Sequence, residues 1–183
     1  MTDPFALLGL PRRPWVEPET VQDRYRARAA DAHPDRPGGS AATLAALNEA
    51  RFLLASHSRR LKSLAASETA ETPHPFEPDW TLFARIGSID RSAKEWNQTF
   101  NATSNPLQKA VLIARQKSLR AELLEIRNLL NQQIEYLTAA TKEADRRWPE
   151  TTAGTILTLA EAWTYAERWN ATLDEARALL DGA

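Results

Sequence analysis

His33 and Asp35 flank Pro34, an imidazole and a carboxylate on either side of one stiff residue. A carboxylate can accept two parallel hydrogen bonds from a guanidinium, and each imidazole nitrogen can donate or accept one. Pro34 has a fixed φ and pushes the residue before it out of the α region, so the two polar side chains keep a set relation. Catalysis would need more than this pair. The chain has no phosphate loop, no second His/carboxylate pairing and no nucleophile signature, and it has no cysteine to act as a thiolate. The three residues therefore read as a surface offered to a partner. No catalytic, cofactor-binding or metal-ligating residues are expected, and the chain is not expected to be an enzyme.

A turn must hold such a motif, and the flanking patterns supply one. Before it, Val21, Tyr25, Ala29 and Ala32 recur at steps of four, four and three, which predicts a helix over 18–32. After it, a second amphipathic pattern predicts a helix over 41–55, with Leu44, Leu47, Arg51 or Phe52, and Leu54 inward. Arg36-Pro37-Gly38-Gly39-Ser40 closes the turn between them. At the N-terminus, Asp3-Pro4 is a capped helix start and Gly9 with Pro11 is its stop. Asn48 is expected to be a buried amide that ties the hairpin's backbone together.

From Asp3 to about Leu64 the chain resembles the J-domain of DnaJ-type co-chaperones. The likeness rests on His33-Pro34-Asp35, on Asp3-Pro4-Phe5-Ala6-Leu7-Leu8-Gly9-Leu10 as a first helix, and on Val21 and Tyr25 as core positions of the second. Leu47-Asn48-Glu49-Ala50-Arg51-Phe52-Leu53-Leu54 is similar to the third helix, and Ser58-Arg59-Arg60-Leu61-Lys62 to the basic start of a short fourth. The resemblance implies docking on a DnaK-type heat-shock chaperone through His33, Pro34 and Asp35, helped by basic Arg26, Arg24 and Arg36. Gln22, Asp23, Ala27 and Asp31 stand where the family is commonly basic, and Arg28 where it has a core leucine, so steering by this face is expected to be weak.

Formal net charge is −1, which removes the usual electrostatic case for nucleic acid. The N-terminus has no signal-peptide pattern, and no uncharged apolar stretch approaches a membrane span, so no membrane partner and a cytoplasmic location are expected. The charge divides the chain. Residues 1–66 hold ten Lys/Arg against seven Asp/Glu, residues 67–79 hold four acids and no base, and residues 80–183 hold thirteen of each. The middle segment has three prolines in six residues and reads as an acidic, Pro-rich linker. His74 within it reads as exposed rather than metal-binding.

Residues 80–183 carry sustained heptads. Leu82, Ile86, Ile89, Ala93, Trp96 and Phe100 mark one seam. Leu112, Leu119, Leu123, Ile126, Leu130, Leu137, Ala140, Ala144 and Trp148 mark a second, with Gln133 as its single polar member. Leu159, Trp163, Ala166, Trp169, Leu173, Ala176 and Leu180 mark a third. The expected fold is all-α: an N-terminal J-domain hairpin (1–66), the linker (67–79), and an antiparallel three-helix coiled-coil bundle (80–183).

A J-domain followed by a helical body resembles HscB, the co-chaperone of iron–sulfur cluster assembly. Gly9-Leu10-Pro11, the interval of twenty-four residues from Gly9 to His33, and Val16-Glu17 carry that likeness. The shorter interval from His33 to Asn48 and the mixed charge of Arg85, Arg91 and Lys94 depart from it. The expected function is stimulation of ATP hydrolysis by a DnaK-type chaperone, with the helical body choosing an unidentified client or partner. Two alternatives stand beside it: an HscB-like iron–sulfur role, and a coiled-coil scaffold with a degenerate J-like head.

Overall fold

The computed structural model describes residues 3–33, 35–36, 39–66 and 76–182, and among them every regular element is a helix. In chain order these are α1 (Pro4–Leu8), α2 (Pro18–Asp31), α3 (Ala41–Ala55), α4 (His57–Ala65), α5 (Trp80–Ala102), α6 (Pro106–Arg146) and α7 (Ala153–Asp181). The protein is all-α. None of its described helices is long and apolar enough to cross a membrane.

Local chemistry sets most of the boundaries. Asp3 accepts a hydrogen bond from the Phe5 amide, and Gly9 ends α1 in the left-handed conformation at φ 63°. Ser40 caps α3, Ser56 caps α4 and Asp79 caps α5, each side chain accepting from an amide two or three positions into the helix. Asn105 caps α6 by accepting from the amides of Leu107 and Gln108. Thr152 caps α7 through the Thr155 amide, while its neighbour Thr151 donates to the Ala144 carbonyl at the end of α6.

The chain packs as two compact units, Met1–Phe76 with Leu137–Thr164, and Glu77–Tyr136 with Tyr165–Ala183. This division cuts across the expected segments 1–66 and 80–183, because α6 and α7 each contribute to both units. A 41-residue helix is about 60 Å long, well beyond what the 23 residues of α5 can cover, so its far end needs another partner. Most of the expected linker, 67–75 including His74, lies outside the described residues.

In the first unit, α3 packs against α1, α2 and α4. Phe5, Leu8, Leu10, Val21, Leu47, Leu54, Leu61 and Leu64 form its interior. Arg60, in the segment similar to the basic start of a short fourth helix, is fully buried. It donates to the carbonyls of Pro14 (3.1 Å) and Leu54 (2.9 Å), and its guanidinium lies 2.7 Å from His57 Nδ1. The ends of α6 and α7 join this unit through specific contacts. Arg13 and the Trp15 amide both bond Asp145, and His57 stacks between Trp15 (5.2 Å) and Trp163 (4.1 Å). Trp163 Nε1 donates to Thr141. The Trp15 indole N–H, and secondarily the Lys142 ammonium, hold the Glu17 carboxyl below its usual range.

Asn48 departs from its expected role. It is exposed, and its side-chain oxygen accepts from Tyr25 OH at 2.6 Å, so it links α3 to α2 by a side chain and not through the backbone. Arg51 lies over the Tyr25 ring at 4.6 Å and Phe52 faces outward.

The second unit is a three-helix core of Leu82, Ile86, Ile89, Ala93 and Trp96 from α5, Leu112 to Leu130 from α6, and Trp169, Leu173, Ala176 and Leu180 from α7. Its cross-links run antiparallel: Arg85 meets Glu125 while Arg115 meets Glu95, and Arg127 meets Asp174 while Arg120 meets Asp181. Gln133 is not the polar member of the α6 seam, for it is exposed and Ile134 packs on the core in its place. The buried polar members are Gln116, which donates to the Leu180 carbonyl, and Thr141 in the first unit, which donates to the Leu137 carbonyl.

Candidate partner-docking site

The hairpin α2–α3 holds the His33–Asp35 turn by three backbone bonds. Arg36 N–H donates to the His33 carbonyl (2.9 Å), Gly39 N–H to the Arg36 carbonyl (2.9 Å), and Ser40 N–H to the Ala32 carbonyl (3.0 Å). The last closes the loop at its neck, joining the residue after α2 to the cap of α3. Pro34, Pro37 and Gly38 lie outside the described residues, so the stiffening expected of Pro34 is not part of the observed geometry.

His33 and Asp35 are both outward, with side chains 53% and 86% exposed. The Asp35 amide reaches His33 Nδ1 at 3.3 Å. An amide can only donate, so in this arrangement Nδ1 accepts and the ring proton sits on Nε2. The Asp35 carboxylate is 3.5 Å from the same nitrogen, within ion-pair distance whenever the ring is protonated, and Nε2 carries an N–H in either case. The turn thus presents an N–H donor and a carboxylate acceptor side by side. That pair suits a partner with a guanidinium beside an acceptor.

The basic residues are less well gathered. Arg24 and Arg26 are both exposed, but two residues on a helix of 3.6 per turn place them about 200° apart. Arg26 lies two turns before His33 and pairs with Asp23 at 3.4 Å; Arg36 pairs with Asp31 at 3.1 Å. These exposed pairs contribute little to stability, but their two carboxylates offset two of the three arginine charges. Arg28 does not fill the core. It is exposed and its guanidinium lies over Gly9, where an added Cβ would fall 2.5 Å from Nη2.

Gly39 is a site residue that spacing alone does not single out from Gly38. A Cβ on it would fall 1.8 Å from the His33 carbonyl oxygen and 2.6 Å from the carbonyl carbon, both backbone atoms that cannot swing aside. Gly39→Ala is therefore expected to displace His33 and open the loop. Backbone NMR should show the shift changes concentrated at 32–40, with a stability loss of about 1–3 kcal/mol. Unchanged shifts for His33 would show that the loop relaxes without cost.

Among the described residues, no cluster of three or more His, Asp or Glu is placed to hold a metal ion. No protein-family model matches the sequence, and no curated protein matches it.

Proposed function

We propose that this chain is a J-domain co-chaperone that docks on a DnaK-type heat-shock chaperone and stimulates its ATP hydrolysis. The observation that carries the reading is the outward presentation of His33 and Asp35 on a hydrogen-bonded turn at the tip of α2–α3. Asp35 would accept from an arginine of the chaperone, His33 Nε2–H would donate beside it, and exposed Arg26, Arg24 and Arg36 would meet acidic surface. Docking would favour the hydrolysis-competent state only so far as that state binds the tip more tightly than the other does. The nucleotide is cleaved in the partner. The helical body, α5 to α7, would choose the client.

Single-turnover ATPase of the chaperone, with and without this protein, tests the reading. His33→Gln keeps an amide near the ring's volume but cannot reproduce its contacts, so stimulation should fall at least about tenfold, equivalent to roughly 1.4 kcal/mol of docking energy. Circular dichroism should be unchanged, because the side chain is exposed. No stimulation by the parent protein would reject the proposal.

One observation favours a second reading, a coiled-coil scaffold whose head no longer activates a chaperone. Asp23 and Asp31 engage Arg26 and Arg36, which leaves the docking face with little net charge. Iron–sulfur assembly, the role of HscB, is the more specific version of the first reading and would show as capture of a cluster scaffold by the body.

A further inference from the structure

A groove in the second unit, between α6 and α7, borders the three-helix core and is separate from the hairpin tip. It encloses about 350 Å³, near the lower end for ligand pockets. Leu123 and Leu180 form its floor and Leu124 its rim, the last 60% exposed. Three guanidiniums, Arg120, Arg127 and Arg177, line it against a single carboxylate, Asp181. Asp181 is shared, 2.9 Å from Arg120 and 3.3 Å from Arg177, while Arg127 reaches Asn170 and Asp174. Each guanidinium has five N–H donors, so one carboxylate between two of them leaves donors to spare. With Asp174 counted, three guanidiniums face two carboxylates, so the groove keeps a net charge of +1, and its centre is apolar.

The surface of α6 extends the same chemistry beyond the groove. Ile113, Lys117, Arg120, Leu124, Arg127 and Asn131 recur at steps of four and three, so they share one face. Two apolar and three basic residues share it with Asn131, and no carboxylate falls among these six. Ile113 is 44% exposed as well. From Ile113 to Asn131 this stripe runs about 27 Å, much longer than the pocket it passes. A small amphipathic molecule would fill the pocket and leave Ile113 bare; a helix laid along the stripe would cover both.

We propose that the α6/α7 groove binds an acidic amphipathic helix of a partner protein, with Leu, Ile or Phe anchors seated on Leu124 and the edge of Leu123, and Asp or Glu facing the arginines. The proposal rests on the reading of the helical body as the partner-selecting part of the molecule, and gives that part its chemistry. It needs nothing from the His33–Asp35 turn.

The test selects from a displayed library of random 15-residue peptides on the full-length protein. Selected sequences should be rich in Asp and Glu interleaved with large apolar residues at helical spacing. The strongest peptide, labelled and titrated by fluorescence anisotropy, should bind Leu124→Glu and Arg177→Gln at least about tenfold more weakly than the parent. Both side chains are largely exposed, so circular dichroism should confirm intact helices. Raising salt from low to physiological strength should weaken binding severalfold. His33→Gln should bind the peptide normally while losing ATPase stimulation, and the groove variants should do the reverse, so the two readings fail separately. No selected peptides, basic or Pro-rich winners, or equal binding by Leu124→Glu would overturn the proposal. Displacement of the peptide by laurate or by an oligonucleotide at lower concentration than by unlabelled peptide would overturn the choice of a protein helix.

Discussion

Arg60→Ala is expected to destabilise the protein by about 3–5 kcal/mol, read as a fall in the urea midpoint at constant slope. The residue is fully buried and joins three pieces of backbone: α4, the connection after α1 through the Pro14 carbonyl, and the end of α3 through the Leu54 carbonyl. Leu54 is one residue from the last of α3, where carbonyls have no partner within the helix. A guanidinium there satisfies the acceptor and complements the negative end of the helix dipole. Removing it leaves two dry carbonyls, each costing about 1–3 kcal/mol, and a cavity besides. Arg60→Lys should fall between, since a single ammonium cannot reproduce the planar fork that reaches both carbonyls. A loss below 1 kcal/mol for the alanine variant would mean that water replaces the guanidinium at both carbonyls.

How Arg60 comes to be buried shows where residue pattern stops being informative. Helix existence and ends were legible, since they depend on neighbours: α3 spans the expected 41–55, and Asp3, Asn105 and Thr152 cap where short polar residues precede a helix. Inward faces were legible while the period held. On α6 it shifts after Ile126, where Leu130 and Ile134 follow at successive steps of four. A helix of 3.6 residues per turn drifts against a strict heptad, and the extra step corrects the drift. Strict alternation lands on Gln133 instead, on the solvent side. Partners were not legible at all. Asn48 and Arg60 are polar residues on α3 and α4, and nothing local says that one reaches a tyrosine outside and the other two carbonyls inside. The same holds for the tip, where spacing singles out His33 and Asp35 but not the clash that reserves position 39 for glycine.

The far ends of α6 and α7 raise the same question on a larger scale, and Trp163→Ala answers it. Periodicity places Trp163 inward, and its burial agrees, but the neighbours are Thr141 and His57 of the first unit. Truncation removes the stacked face at 4.1 Å from His57 and the indole N–H bonded to Thr141. It should cost about 3–5 kcal/mol, the range for deleting a large buried aromatic. Location distinguishes this loss from a general one. Hydrogen exchange should speed up first at the amides of α4 and of α6 beyond Leu137, which lie around the lost ring, while the core built on Trp96 and Leu130 keeps its protection until global unfolding. Trp163→Phe retains the stacking surface but not the donor, so it should recover most of the loss. If exchange instead accelerates equally at Trp96 and at α4, the two compact units open as one, and the first unit has no separate claim on the ends of these helices.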